Sequence, residues 1–362
     1  MEHRRASAAF RPLADLIESR IAEGLLPGAV VAVGRAHGVA FHRAFGRRAL
    51  VPRRERMSLT TIFDLASLTK VMATAPLAVE RALRGEFSLL DPLERHLAET
   101  RRTRVGAIPL RLLLTHTAGF PADNPLEDYA GRKSDLIAAI AREPLEAEPG
   151  TRFIYSDVGY VLLQAVLERR TRRRLDSLAD SDLFRAMRFR DTRFGVGPAD
   201  QSRTAPTERV RAGWLRGRVH DPRARARALA GVAGHAGMFG TALEVARFCE
   251  MILNRGRFGT RRVLAEETVR AMTGDQCGGT AGVRRGFGFD IESPYSAPRG
   301  RLFSRNSFGH SGWTGVSLWI DPGNDAYIVL LTNAIHPGGH KDLKAFRSDA
   351  ATLAAEAMGV SG

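Results

Sequence analysis

The sequence predicts an α+β fold in which one antiparallel sheet is flanked by helices and carries a mostly helical insertion. The stretch between about 86 and 225 has mainly helical periodicity. Strands separated by such a segment form one sheet most simply when the two ends of the chain pair with each other. Apolar, strand-like stretches lie near both ends, at 29–36, 39–44, 286–291, 315–321 and 326–332.

Local patterns place the individual elements along the chain. Strands 29–36 and 39–44 flank the dipeptide His37-Gly38, and such a short link between two strands predicts a hairpin. In four other stretches apolar residues repeat every three to four positions, as they do on the buried face of a helix. Gly85 follows the second of these stretches, and glycine is typical of a helix end. Helices are therefore predicted over 8–23, 67–84, 241–254 and 341–358.

The order of these elements predicts a discontinuous domain organisation. We expect 1–85 and 226–362 to form one sheet-containing domain, and 86–225 to form a helical domain inserted into it. A chain of 362 residues is long enough for two such units. Ligand sites commonly lie between domains, so we expect the active site in the cleft between the two parts.

Basic residues outnumber acidic ones, and nearly all of them are arginine. The chain has 54 Lys and Arg against 39 Asp and Glu, for a net charge of +15, and only four of the 54 are lysines. Arginines cluster at 101–104, 169–174 and 223–227. No nucleic-acid motif or interleaved aromatic residues accompany these clusters. We expect solvated faces with weak attraction to anionic polymers, and no specific nucleic-acid partner.

The sequence indicates a reducing, intracellular compartment. Its longest apolar run, Val71–Val79, is far shorter than the roughly 20 residues that span a bilayer. Arg11 and Asp15 interrupt the region where a signal peptide would have its apolar stretch. We expect no membrane span and a cytoplasmic protein, or a periplasmic one if the start is trimmed. Cys249 and Cys277 do not make a disulfide framework and are expected to be free thiols.

The first candidate catalytic pair is Ser67 and Lys70, in the segment Phe63-Asp-Leu-Ala-Ser-Leu-Thr-Lys70. Spaced S-x-x-K at the start of a helix, the two side chains share one face. A lysine whose pKa is lowered by desolvation can accept the proton of a neighbouring serine, whereas an arginine cannot be deprotonated in a protein. Because lysine is rare in this chain, Lys70 is a candidate base for Ser67 as nucleophile.

Two further motifs follow in the order typical of penicillin-recognising enzymes. Tyr155-Ser156-Asp157 occupies the place of the second motif, and Gly309-His310-Ser311-Gly312 occupies the third, ahead of a strand. Within the second motif, either Tyr155 or Ser156 could carry the hydroxyl that moves the proton. Val158 stands where an S-D-N motif would have asparagine, which favours Tyr155.

With these motifs the chain resembles the serine β-lactamase-like family, which includes class C β-lactamases, D,D-peptidases, D-aminopeptidases and related esterases. Two more strings carry the resemblance: Leu112-Leu-Leu-Thr-His-Thr-Ala-Gly119 and Gly231-Val-Ala-Gly-His-Ala-Gly237. The resemblance extends from about residue 10 to about residue 355. It implies the β-lactamase/transpeptidase-like fold, a sheet with a helical insertion.

The resemblance also implies roles for the residues at matching positions. Ser67 would be the acylated nucleophile, with Lys70 and Tyr155 sharing the general-base and general-acid work. The backbone N–H groups of Ser67 and Trp313 would form the oxyanion hole. Many members have asparagine where this chain has Asp157. The residues that would contact substrate are Asp157, His310, Ser311 and Gly312.

His310 stands where many members have lysine, which predicts a weaker hold on substrate carboxylates. The ordinary histidine pKa of roughly 6.5 leaves His310 mostly uncharged near neutral pH. We therefore expect carboxylate substrates to bind better as the pH falls through the titration of His310. Esters or peptides without that carboxylate should be turned over better than β-lactams. Alternatively, an arginine from the helical part replaces the missing charge.

Several other motifs favour a structural interpretation. Glu250-Met-Ile-Leu-Asn254 is similar to the E-x-x-L-N motif of class A β-lactamases, but the buried face of its helix explains it. His336 and His340 lie on a Pro-Gly segment without nearby ligand partners, so we expect no metal. His116 is expected to order a loop through its ring nitrogens, and His235 to mark a close backbone approach.

Together these observations predict a serine hydrolase that needs no cofactor. Ser67 would attack an amide or ester carbonyl of a small-molecule or peptide substrate, and water would release the acid from an acyl-enzyme. The alternative is a penicillin-binding or regulatory protein that keeps the fold and has lost useful turnover. The intact set of Ser67, Lys70 and Tyr155 favours the enzyme.

Overall fold

The computed structural model describes residues 8–279 and 281–360, and its main feature is an eight-stranded antiparallel sheet. The strand order is β11-β12-β13-β14-β15-β1-β2-β3. The strands are β1 (Gly28–Arg35), β2 (Gly38–Ala49), β3 (Glu55–Arg56), β4 (Phe63–Asp64), β5 (Arg193–Phe194), β6 (Arg209–Val210), β7 (Gly213–Trp214), β8 (Met238–Gly240), β9 (Arg257–Phe258), β10 (Arg261–Arg262), β11 (Arg284–Arg285), β12 (Asp290–Glu292), β13 (Phe308–Ser311), β14 (Ser317–Asp321) and β15 (Ala326–Thr332).

Helices cover the sheet and fill much of the middle of the chain. None of the helices in the described residues has both the length and the apolar character needed to cross a membrane. The α-helices are α1 (Arg11–Ala22), α2 (Ala75–Leu83), α3 (Leu110–Leu114), α4 (Lys133–Ile140), α5 (Val158–Thr171), α6 (Leu175–Ala179), α7 (Pro222–Arg225), α8 (Ala242–Leu253), α9 (Glu266–Thr273) and α10 (Lys344–Ala357).

The two ends of the chain pair in the centre of the sheet, as the sequence predicts. β1 lies between β15 and β2, with Val30 opposite Leu331 on one side and opposite Ala44 on the other. Side chains alternate between the two faces of a strand. Val30 and Ala32 accordingly belong to the larger apolar core, which also contains residues of α2, α5 and α8.

The opposite face of the sheet is covered by the first and last helices. Ala29, Val31 and Val33 of β1 pack there with residues of α1 and α10. Because both faces are covered, the first seven residues of β1 are all buried, and they are apolar throughout rather than alternating. Cys249 of α8 is a buried free thiol, and Cys277 is also buried.

Three predicted elements differ from the structure. The strand expected at 286–291 is interrupted, because Gly286 and Gly288 turn the chain between β11 and β12. A Cβ at Gly286 would lie 1.8 Å from the Met272 carbonyl oxygen, and Gly288 has a φ of +96°. The helix expected at 341–358 begins only at Lys344.

The third difference lies in the helix that follows Ser67. A π-helical turn at Lys70–Thr74 precedes α2, so the chain is wider here than a regular α-helix. Such turns are frequent at functional sites. Lys70 lies on the first residue of this turn, directly at the site that the motifs predict.

The middle of the chain is less helical than expected. Helices α3 to α6 lie between residues 110 and 179, whereas β5, β6 and β7 are short strands between 193 and 214. β5 pairs with β8, and β8 also pairs with β4, the strand that leads to Ser67. This small sheet brings the middle of the chain next to the segment that carries the candidate nucleophile.

Candidate active site

The turn that presents Ser67 is held in a strained conformation. Ala66 has a φ of 45°, in the left-handed region that residues other than glycine rarely adopt. The carboxylate of Asp64 accepts the N–H of Ala66 at 2.9 Å and the N–H of His220 at 2.7 Å. Sequence reasoning missed Asp64, because its partner His220 lies far along the chain. Asp64 is a positioning residue for the turn.

Lys70 is buried beneath Ser67, and polar groups surround its ammonium. Its ammonium donates to Ser67 Oγ at 3.0 Å and to the His235 carbonyl at 3.3 Å, and it lies 2.6 Å from Asp157 Oδ1. Burial by itself lowers the pKa of Lys70, but the charge of Asp157 and the neighbouring Tyr155 outweigh it, so the pKa is raised. The expectation of a lowered Lys70 pKa is therefore wrong.

Asp157 is an ion-pair partner of Lys70 as well as a candidate substrate contact. This residue lines the cleft, as expected for a substrate contact, yet its nearest charged partner is Lys70. A carboxylate pairs with an ammonium far more strongly than an amide would at this position. The short-range pattern around Lys70 could not show this pairing.

Tyr155 joins Ser67 and Lys70, as the motifs predict. Its hydroxyl interacts with both of these residues, and Lys70 Nζ lies 4.9 Å from the centre of its ring. Burial raises the pKa of the Tyr155 phenol, while the positive charge of Lys70 opposes that rise. The resting site therefore holds a protonated Lys70 beside a protonated Tyr155.

His116 supports the Tyr155 ring from below. The two rings stack with centroids 4.4 Å apart, and His116 Nδ1 accepts the N–H of Ser156 at 3.1 Å. Burial holds the pKa of His116 well below its usual value, so the ring is neutral. The expected loop-ordering role is confirmed. Ser156 Oγ donates to the Pro121 carbonyl at 2.6 Å, which leaves Tyr155 as the hydroxyl at the site.

The end of β13 lies against the Ser67 turn. A Cβ at Gly312 would lie 3.0 Å from the Cβ of Ala66 and 3.1 Å from the Leu65 carbonyl oxygen, so glycine permits this approach. In the described part of the chain, the N–H groups of Ser67 and Trp313 donate no hydrogen bond. Both are therefore available to a substrate oxygen.

His310 is neutral throughout the physiological range. Its ring is buried, its Nδ1 lies 2.8 Å from the Ser311 carbonyl, and burial together with Lys70 and Arg285 holds its pKa well below the usual value. The lack of charge near neutral pH agrees with the sequence prediction. The expected gain in carboxylate affinity as His310 titrates near pH 6.5 is wrong, because the buried ring does not take up a proton there.

An arginine lies beside the β13 motif, but it comes from the closing helix rather than from the helical part. Arg347 of α10 lines the cleft and donates from Nη2 to the carbonyls of Gly312 and Val316, each at 3.1 Å. Burial lowers the pKa of Arg347 to about 10, so it remains a cation at neutral pH. Arg285 is also in the cleft wall, but Asp290 neutralises it at 3.1 Å.

The structure brings together three possible metal ligands that sequence spacing did not indicate. Oxygen or nitrogen atoms of Asp157, Asp221 and His235 lie within 4.8 Å of one another. His235 Nε2 lies 3.2 Å from Asp221 Oδ1. The ammonium of Lys70 already provides a cation for Asp157. That the site holds no metal stays a prediction. These three residues are where binding of a metal ion can be tested.

The remaining motifs behave as structural elements. Glu250 accepts the hydroxyl of Tyr327 at 2.9 Å and does not line the cleft. His336 is buried and accepts the N–H of Leu50 at 3.1 Å, whereas His340 stacks on Trp313 with centroids 3.9 Å apart. Gly234 lies close to the backbone of α5, since a Cβ there would be 2.0 Å from the Tyr160 carbonyl oxygen. The close approach predicted at His235 is thus confirmed.

All the predicted site residues except Lys70 line or border one cleft of about 570 Å³. Lys70 lies directly under the cleft floor at Ser67. Further cleft residues that sequence reasoning did not assign to the site are Asp123, Asp221, Arg223, Tyr295, Lys341 and Lys344. They come from loops and helix starts in separate parts of the sequence and carry no local motif.

Comparison with known proteins defines the class. The sequence model of the Beta-lactamase family matches residues 13–352, so the chain belongs to the beta-lactamase family. It is a hydrolase of that family. It is 29% identical over 345 residues to a provisionally named D-alanyl-D-alanine carboxypeptidase of Escherichia coli O157:H7, covering 86% of this chain and 79% of the relative.

Two more comparisons extend the range of relatives. The chain is 29% identical over 368 residues to an N-acetylmuramyl-L-alanine amidase of Bacillus subtilis (strain 168), covering 90% of this chain and 81% of the relative. Its fold is similar to that of EstCE1, a hydrolase with promiscuous acyltransferase activity, with a TM-score of 0.77 at 22% identity over 97% and 99% of the two chains. The two sequence relatives differ in the substrate that their names give, and the similarity to EstCE1 is one of fold.

Proposed function

We propose that this protein hydrolyses an ester or amide bond through an acyl-enzyme on Ser67. The observation that carries the proposal is the contact between Lys70 Nζ and Ser67 Oγ at 3.0 Å, on the floor of a cleft. A buried ammonium beside a hydroxyl at the start of a helix polarises that hydroxyl. Tyr155 can accept the proton of Ser67 once its own phenol has lost a proton.

The roles follow from the charges at the site. Lys70 is held protonated by Asp157, so it acts as the cation that fixes Ser67 and favours loss of the phenolic proton from Tyr155. In the reacting form, the Tyr155 phenolate takes the proton of Ser67 while Oγ forms the bond to the carbonyl carbon. The carbonyl electron pair moves to its oxygen, which the N–H groups of Ser67 and Trp313 stabilise.

The second half of the reaction uses the same groups in reverse. Collapse of the tetrahedral intermediate breaks the bond to the leaving group, which takes the proton from Tyr155. Water then gives its proton to Tyr155 and adds to the acyl carbon. Release of the acid restores the Ser67 hydroxyl with the proton held by Tyr155. Each step balances without a metal or an organic cofactor.

The direct test is hydrolysis of a chromogenic acyl ester by the wild type and by Tyr155→Phe. Removal of a general base typically lowers the rate by about 10² to 10⁴, and we expect kcat to fall by that amount. Ser156→Ala is the matched control, because its hydroxyl donates to a backbone carbonyl. Turnover by Tyr155→Phe at the wild-type rate would contradict the proposed role, and absence of wild-type turnover would favour a binding protein.

A further inference from the structure

The two N–H groups proposed for the oxyanion hole come from distant parts of the chain. Ser67 follows β4, a strand of the small three-stranded sheet, whereas Trp313 follows β13 of the large sheet. Within the described part of the chain, no strand pairing joins β4 to β13 or to β14. The distance between the two N–H groups is therefore not set by a strand ladder, and another contact has to set it.

The turn 312–316, which carries Trp313, is closed by its own hydrogen bonds. The N–H of Gly312 donates to the Val316 carbonyl at 2.8 Å, and the N–H of Gly315 donates to the Gly312 carbonyl at 3.1 Å. Arg347 of α10 donates to the carbonyls of Gly312 and Val316. These bonds fix the shape of the turn and attach it to α10, but none of them reaches the segment of the candidate nucleophile.

The side chain of Thr314 links this turn to the strand before Ser67. Its Oγ1 donates to the main-chain carbonyl of Asp64 at 2.9 Å, and both residues are buried. Among the residues that the structure describes, this is the only hydrogen bond between residues 312–316 and residues 62–67. Loss of the Thr314 hydroxyl would leave a buried carbonyl without this donor.

Asp64 also shapes the turn that presents Ser67. Its carboxylate accepts the N–H of Ala66 at 2.9 Å, and the φ of 45° at Ala66 directs the peptide that follows. The main chain of Asp64 thus contacts the turn with Trp313, while its side chain contacts the turn with Ser67. A path of two hydrogen bonds through one buried residue connects the two halves of the oxyanion hole.

Close packing alone does not define the relative position of the two turns. At the place where Gly312 passes Ala66, an added Cβ on the glycine would lie 3.0 Å from the Ala66 Cβ. This contact brings the turns together but has no preferred direction. A hydrogen bond weakens steeply when its angle or length changes. The Thr314 hydroxyl is therefore the contact that restricts both the distance and the orientation.

We propose that Thr314 is a positioning residue of the oxyanion hole, whose hydroxyl holds the Trp313 N–H at the distance from the Ser67 N–H that a tetrahedral oxyanion requires. This inference rests on the proposed function, because the hole matters only if Ser67 attacks a carbonyl. Donors stabilise the oxyanion only when they lie about 2.7 to 3.1 Å from it. Thr314 does not line the cleft, so it acts through Trp313 rather than on the substrate.

The test compares p-nitrophenyl butyrate with its thionoester, in which sulfur replaces the carbonyl oxygen. Sulfur is a weak hydrogen-bond acceptor, so the ratio of kcat/KM for the ester to kcat/KM for the thionoester measures the contribution of the hole. Loss of one donor typically lowers kcat by about 10² to 10³. Thr314→Val displaces a donor without deleting it, so we expect kcat/KM for the ester to fall by about tenfold or more, and the ratio to fall with it.

Three further variants separate the role of the hydroxyl from a general loss of stability. Thr314→Ser keeps the hydroxyl and should keep the wild-type ratio, whereas Thr314→Ala removes it and should repeat the loss even if the valine variant does not fold. Thr100→Val is the matched control, because Thr100 is buried away from the cleft and its Oγ1 donates to the Leu97 carbonyl at 2.8 Å. It should lose stability in urea and keep the ratio.

The outcomes distinguish this inference from the proposed function. A wild-type ratio in both Thr314→Val and Thr314→Ala, or an equal fall in Thr314→Ser, refutes the positioning role and leaves the proposed function standing. Equal turnover of ester and thionoester by the wild type shows that no oxyanion hole acts on this substrate, which also refutes it. If the thionoester is too slow to measure, kcat/KM for the ester per burst-active site decides by the same pattern. No turnover of the ester by the wild type removes both proposals.

Discussion

Asp157 favours the protonated forms of both Lys70 and Tyr155. Its carboxylate lies 2.6 Å from Lys70 Nζ and raises the pKa values of both Lys70 and Tyr155. A buried lysine without such a partner would have a lowered pKa and could serve as a base itself. The proposed mechanism therefore assigns the base to Tyr155, whose phenol has a pKa raised by burial and loses its proton only at alkaline pH.

The charge of Asp157 can be tested through the pH dependence of activity. Wild-type kcat/KM should increase with pH, because Tyr155 is active only after it loses its proton. Asp157→Asn removes a charge that raises the pKa of Tyr155, so the acid limb should move to lower pH, by about one unit. Asp123→Asn, which does not contact Lys70, should give a smaller shift. An unchanged limb in Asp157→Asn would contradict the role of this carboxylate.

The neutral state of His310 predicts that pH does not change the preference between a substrate acid and its methyl ester. Burial lowers the pKa of this ring well below its usual value, so it stays uncharged between about pH 5.5 and 8. The ratio of KM values for a matched acid and its methyl ester should be constant over that range. A ratio that changes with a midpoint near the ordinary histidine pKa would show that His310 does titrate there.

Motifs predict the chemical identity of the site but not its charge balance. Ser67, Lys70 and Tyr155 come together as their spacing indicates, because S-x-x-K fixes two of them on one helical face. The partnership between Lys70 and Asp157 depends on how α5 meets the turn after Ser67. Asp64 and Asp221 were missed for the same reason, since each acts through a residue distant in the sequence.

At the scale of elements, the loop around His235 contacts both α5 and the side chain of Lys70. Gly234 lies against α5, and its carbonyl accepts the hydroxyl of Thr74 at 2.6 Å, while the next carbonyl accepts from Lys70. A side chain at position 234 would collide with the Tyr160 carbonyl oxygen at 2.0 Å. This loop therefore couples the position of Lys70 to the packing of α5.

Gly234→Ala should both destabilise the fold and reduce turnover. We expect a loss of about 2 kcal/mol in the free energy of unfolding, because overpacking against backbone cannot relax cheaply. Gly197→Ala is the matched control, since no atom lies within 4 Å of its added Cβ. Urea denaturation of both variants measures the difference. Equal stability of the two would show that α5 moves to accommodate the new methyl group.

The predicted strands are correct where the whole strand is buried. They are wrong where close backbone contacts between distant segments determine the conformation. β1 and β15 are continuous apolar runs, and both appear within a residue or two of the expected bounds. The stretch at 286–291 has large apolar residues at alternate positions, as a strand would, but Gly286 faces the Met272 carbonyl and Gly288 faces the helical layer. Such contacts between distant segments have no local signal.

At the scale of the whole molecule, some of the clustered arginines are paired with carboxylates, although the sequence keeps a net charge of +15. Arg104 pairs with Glu148, and Arg169 pairs with Glu99. These arginines belong to the clusters expected to attract anionic polymers. Surface pairs of this kind contribute little to stability, but they reduce the number of cations that can contact a polyanion at once.

We therefore expect only weak and salt-sensitive retention on DNA-cellulose. Affinity for nucleic acid falls steeply with salt in proportion to the phosphates neutralised, so elution should occur below about 0.2 M salt, where non-specific complexes already weaken. The measurement compares random-sequence DNA with heparin. Retention at much higher salt, or a strong preference for one DNA sequence, would show a dedicated nucleic-acid surface.

Intact-protein mass spectrometry after acid quenching can show whether Ser67 carries the acyl group during turnover. A burst of p-nitrophenyl butyrate hydrolysis should leave a butyryl adduct that maps to the peptide with Ser67. Ser67→Ala should show no adduct, while Ser156→Ala should still show one. An adduct that persists in Ser67→Ala, or turnover by the wild type with no adduct at any quench time and no burst, would contradict an acyl-enzyme on Ser67.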